Sequence, residues 1–78
     1  MNLSEYLKLE LMLYALEYDY FDYGTVIEKH RNGRYTIYID GEKISKSKSD
    51  LVKDFGELDN RMISEIIMGY TTDNLLKN

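Results

Sequence analysis

Cysteine, proline and tryptophan are missing from this 78-residue chain, and histidine and alanine occur once each. Without cysteine there is no disulfide, and a single histidine without thiolates does not assemble a structural zinc site. The first of these usual staples of a small domain is therefore excluded, and the second nearly so. A single domain of this length buries only about 60–65% of the surface it exposes when unfolded, so oligomerisation or a bound partner is the expected reinforcement. Without tryptophan, the large rings come from eight tyrosines and two phenylalanines. Long apolar runs are missing too: the opening "MNLSEYLKLELMLYALEY" is interrupted by Glu5, Glu10 and Glu17. That pattern argues against a signal peptide or a membrane span, and predicts a soluble, cytoplasmic protein with no membrane partner. The lack of proline, the lone alanine, many Ile, Asn and Tyr, and seven lysines against three arginines resemble the product of an AT-rich genome, bacterial or viral.

Catalytic and cofactor motifs do not occur. His30 stands beside a turn with no nucleophile or carboxylate pair placed by motif to work with it. Asp19, Asp22 and Asp40 lack the spacing of a calcium loop, and "NGR" and "DGE" are turn dipeptides rather than phosphate-binding loops. The expectation is a non-enzymatic protein with no metal and no cofactor.

What is present is a strong local pattern. Residues 3–20 are rich in helix formers, with Ser4 placed as an N-cap and Glu5 near the positive end of the dipole. "LKLELML" also alternates as a strand would, but length and Leu/Glu/Met content favour a helix. At the helical period its apolar residues fall on two stripes, Leu3, Leu7, Leu11, Tyr14 and Tyr18 on one and Leu9, Leu13, Leu16 and Tyr20 on another nearly opposite. One stripe can face the sheet. The second must meet either the C-terminal helices or another molecule, which makes this helix the expected surface of any homodimer.

From Gly24 the pattern turns to β-branched and aromatic alternation around Asn32-Gly33, the preferred pair for a two-residue type I′ hairpin. That turn predicts His30 opposite Tyr35, Ile27 opposite Tyr38 and Val26 opposite Ile39, with Val26, Tyr35, Ile37 and Ile39 on the core face. Asp40-Gly41 is a second turn, and "EKIS" a short third strand. "SKSKS", residues 45–49, reads as a basic loop, and Ser47-x-x-Asp50 as a capping box opening a short helix that Gly56 closes. A last helix runs from Asp59 to Met68, with Gly69 placed to end it and residues 71–78 as one more turn or a frayed tail. The stretch "GTVIEKHRNGRYTIYIDGEKI" resembles the strand-turn-strand portion of SH3-like and Tudor-like barrels. The flanking helices do not fit a simple five-stranded barrel, so this implies a hairpin and carries no ligand site. Residues 1–78 read as one α+β domain: an N-terminal helix, a small antiparallel sheet of two or three strands built on the Asn32-Gly33 hairpin, and two short C-terminal helices.

Charge is distributed unevenly around the net −4. Residues 1–28 hold six acids and one lysine, residues 29–48 six basic residues and two acids, and residues 49–78 six acids and three basic residues. The stretch "LEYDYFDYG", residues 16–24, packs four rings and three carboxylates into nine positions. Glu17, Tyr18, Asp19, Tyr20, Asp22 and Tyr23 are thus candidates for a partner-binding surface, since tyrosine gives large contact area and carboxylates suit a basic groove. The alternative is that the rings complete the core while the acids stay solvated. A second candidate surface, for nucleic acid, is Lys29, Arg31, Arg34, Tyr38, Lys46 and Lys48, where cations grip phosphates and a ring stacks on a base. A sequence pI near 4.8 opposes it. The expected function is a protein-interaction module, a small phage or mobile-element inhibitor of a host protein of the anti-CRISPR or other anti-defence kind. The second reading is a nucleic-acid-binding module or small regulator.

Overall fold

Residues 3–18 and 24–76 are described by a computed structural model. In chain order they form α1 (Glu5–Glu17), β1 (Thr25–Lys29), β2 (Arg34–Ile39), β3 (Glu42–Ser47), α2 (Lys48–Gly56) and α3 (Asn60–Leu76). The strands make one antiparallel sheet in the order β1-β2-β3, so the α+β arrangement expected from the sequence is the one adopted.

Ser4 caps α1 as its position predicts, its hydroxyl accepting the Leu7 N–H at 3.1 Å. The two apolar stripes do not end up as separate surfaces. Met12 and Ala15 lie between them on the helical wheel, and both are buried together with Leu9, Leu11 and Leu16. The stripes are thus the edges of one broad face, which packs on α2, β1 and α3. Among the described residues, the side of α1 away from this face carries Tyr6, Glu10 and Glu17, and Tyr20 of the second stripe lies outside the described residues.

The first hairpin differs from the type I′ expectation. A type I′ turn needs positive φ at both central residues, yet only Gly33 has it (82°), whereas Asn32 does not. The loop is therefore three residues long, 31–33, closed by His30 N–H to Arg34 O (2.9 Å) and Gly33 N–H to His30 O (3.2 Å), with Gly33 left-handed as in a G1 bulge. Asn32 Oδ1 accepts the Arg34 N–H at 3.1 Å and holds the turn. The register moves by one: Ile27 pairs with Ile37, Lys29 with Tyr35 and Val26 with Tyr38. A one-residue slip turns a strand over, so Ile27 rather than Val26 joins Tyr35, Ile37 and Ile39 on the core side, and Val26 is exposed. His30 meets Thr36 instead of Tyr35, their Nε2 and Oγ1 being 2.6 Å apart. The true two-residue turn with positive φ at both positions is Asp40 (51°)-Gly41 (81°), which sets Ile37 opposite Ile44.

β3 extends through Ser47, and α2 begins at the next residue, so "SKSKS" is not a loop but the end of a strand running into a helix. Its period-two alternation of Ser and Lys suits an edge strand. The capping box forms as its spacing predicts: Asp50 N–H donates to Ser47 Oγ at 3.2 Å and Ser47 N–H to Asp50 Oδ2 at 3.1 Å. Asp59 likewise caps α3, accepting the Met62 N–H at 2.8 Å. Gly69, however, does not end that helix, which runs on to Leu76. An interior glycine costs only about 1 kcal/mol against alanine, and a helix with tertiary packing on both sides of it absorbs that. The core combines α1 with Tyr35 and Ile37 of β2, Leu51 and Phe55 of α2 and Ile66 of α3. Each such aliphatic side chain contributes roughly 1.5–3 kcal/mol by leaving water.

Candidate functional site

Tyr14 of α1 and Tyr18, the residue that caps its C-terminus, are one turn apart, and Tyr70 and Asp73 are nearly one turn apart on α3. Where the helices meet, the four side chains converge. The rings of Tyr14 and Tyr18 lie 4.5 Å apart with their planes tilted by 33°. Tyr70 meets Tyr14 edge-on at 5.5 Å. The Tyr14 hydroxyl donates to Asp73 Oδ2 at 2.7 Å. Aromatic pairs in these geometries add about 0.5–1.5 kcal/mol beyond area burial, which holds Tyr14 in place as the support on which Tyr18 rests.

Two shallow grooves flank this cluster. One, of about 330 Å³, is lined by Glu10, Leu13, Tyr14, Glu17, Tyr18, Tyr70, Asp73 and Asn74. The other, of about 590 Å³, is lined by Tyr14, Tyr18, Glu65, Met68, Gly69, Thr72 and Asp73. Four carboxylates thus border the rings, and among the described residues no lysine or arginine lines either groove. Tyr18 is 53% and Met68 70% exposed, so ring and thioether face solvent beside the acids. Of the sequence-derived partner surface, Glu17 and Tyr18 lie here; Asp19, Tyr20, Asp22 and Tyr23 lie outside the described residues. Tyr70, Asp73, Glu65 and Met68 were not legible as part of it. Their i, i+3 and i, i+5 spacing was available in the sequence, but reading Gly69 as a stop separated Met68 from Tyr70 and Asp73.

The basic residues, by contrast, do not converge. By strand alternation Lys29 and Lys46 point to the helix side of the sheet and Arg34 and Tyr38 to the opposite side, while Arg31 sits in the turn and Lys48 in the first turn of α2. Lys46 Nζ is bound to Asp54 Oδ2 at 2.7 Å, linking β3 to α2. That hydrogen bond, aided by the nearby carboxylates, holds the Lys46 ammonium above its ordinary pKa. Arg34 Nε donates to Ser45 Oγ at 3.2 Å. Among the described residues no group of three or more His, Cys, Asp or Glu side chains is arranged to hold a metal ion, and no helix is long and apolar enough to cross a membrane. No protein-family model, curated protein or solved structure matches the chain.

Proposed function

We propose that this chain is a non-enzymatic interaction module whose α1–α3 junction captures a basic segment of a partner protein. The observation that carries the reading is the Tyr14-Tyr18-Tyr70 cluster with Glu10, Glu17, Glu65 and Asp73 around it and, among the described residues, no cation lining its grooves. Tyrosine at an interface supplies contact area at low entropy cost, and a single-signed rim steers an oppositely charged partner and rejects like-charged ones. A host protein with a basic nucleic-acid groove has the matching chemistry, and a small blocker of that groove, phage-encoded or carried by a mobile element and of the anti-CRISPR or other anti-defence kind, is the use we infer. Nucleic acid as the ligand is the weaker reading, because the candidate cations are split between two sides of the sheet and Lys46 is already paired.

Titration of the labelled protein with a capped hexalysine peptide at low and high salt tests the reading. Binding should weaken at high salt and should fall at least about tenfold when Glu10→Lys and Glu17→Lys are combined, because attraction becomes repulsion. Combined Lys29→Glu, Arg31→Glu and Arg34→Glu should leave it in place. Insensitivity to the acid reversals, or retardation of a single-stranded oligonucleotide at low salt, would overturn the proposal.

A further inference from the structure

The same junction has a feature that simple attraction of positive charge does not use. Tyr18 is held from behind: its ring rests on Tyr14 at 4.5 Å, and Tyr14 is itself fixed by its 2.7 Å bond to Asp73 and by a T-shaped contact with Tyr70. With Tyr18 still 53% exposed, the ring presents a supported surface to solvent, next to Glu17 and above a groove whose other carboxylates are Glu10 and Asp73. A platform that does not need to be ordered on binding favours a flat partner group.

We propose that this groove selects arginine over lysine, with the guanidinium stacked on Tyr18 and its N–H fork directed at the carboxylates on the rim. The inference rests on the acidic capture proposed above and names the residue captured. Guanidinium is planar, weakly hydrated and able to pair with a carboxylate bidentately while its face lies on a ring; an ammonium is a strongly hydrated point charge and gains only from the acids. Lysine answers the charge of the site, and arginine answers both its charge and its ring. The occupant is therefore an exposed arginine-bearing segment of a partner protein.

The test compares capped hexaarginine and hexalysine peptides, equal in length and charge, against the wild-type chain and the variants Tyr18→Leu and Tyr18→Phe, each first checked for an unchanged circular dichroism spectrum and melting curve. Hexaarginine should bind about tenfold more tightly than hexalysine. Tyr18→Phe should keep that ratio, since the ring remains, and Tyr18→Leu should bring it close to one. Equal binding of the two peptides by the wild-type chain, with Glu10→Lys and Glu17→Lys still abolishing both, overturns arginine selection and leaves acidic capture standing. An arginine preference that survives Tyr18→Leu also overturns it, because the ring is then not the cause. Failure of both peptides to bind at low salt overturns this inference together with the reading on which it rests.

Discussion

At the scale of single residues, backbone conformation and capping decide more than size. Gly33 has a φ of 82°, and a Cβ placed there would meet nothing closer than Lys48 Cε at 4.0 Å. The cost of Gly33→Ala is therefore backbone strain alone, about 1 kcal/mol, and should lower the urea midpoint without changing the slope. Gly56 ends α2 without a positive φ and with open space around it, so Gly56→Ala should stabilise the fold by about 0.5–1 kcal/mol and raise the urea midpoint accordingly. Ser47 is the other sensitive position. Its backbone N–H, and next its hydroxyl, hold the Asp50 carboxyl below the ordinary carboxylate range. A group whose pKa is depressed by folding stabilises the fold above its unfolded value, near 3.9, and loses that contribution as pH falls through the folded one. Asp50→Asn should thus be less stable than wild type at pH 7, and the gap should close as urea titrations move toward pH 3. Lys46, raised by Asp54, has the opposite sign: its contribution is present below about pH 10.4 and is lost as pH rises past its elevated value.

At the scale of elements, caps and elements were legible in the sequence, while register and extent were not. Ser4, Ser47 and Asp59 each do what their spacing predicts, because an N-cap depends on three or four consecutive residues and little else. The Asn32-Gly33 register failed for a different reason. The dipeptide fits both a two-residue type I′ turn and a three-residue turn with a glycine bulge, and the choice belongs to the whole strand, which buries Ile27 in one register and Val26 in the other. The two faces assigned to α1 merged because Met12 and Ala15 join them, and how wide a face a helix buries depends on how many neighbours surround it. The extent of α3 was hidden by Gly69, and with it half of the candidate site. Among the described side chains, α3 places only Ile66 among the fully buried residues, with Ile63, Ile67 and Tyr70 half-buried against the core. Ile66→Ala should therefore cost on the order of 2–5 kcal/mol and Ile66→Val about 0.5–1.5 kcal/mol, read from denaturant unfolding.

At the scale of the whole molecule, acids of α1 and α3 are brought together where the helices touch, while the cations of the hairpin spread over both sides of the sheet, Lys29 sharing a groove with Glu17 and Lys46 bound to Asp54. The site is thus a property of tertiary contact rather than of any one element. α1 is packed on three sides, but α3 docks chiefly on α1, through Ile66 and the Tyr14-Tyr70-Asp73 contacts. Of the three helices α3 has the fewest buried side chains among the described residues, and it should open before the other two. Amide hydrogen exchange should therefore show α3 exchanging at a lower free energy than α1 and β2, and Tyr14→Phe, which removes the bond to Asp73, should lower α3 protection by about 1 kcal/mol while leaving β2 nearly unchanged. A ligand that needs both helices binds only the closed form and must stabilise it, by about 2.7 kcal/mol at a hundredfold excess over Kd. Saturating hexaarginine should consequently slow exchange throughout α3, whereas a cation held by α1 alone would protect α1 and leave α3 as it was. Uniform slowing across α3 would place the captured side chain between the two helices, and an unchanged α3 would remove Asp73 and Glu65 from the binding surface.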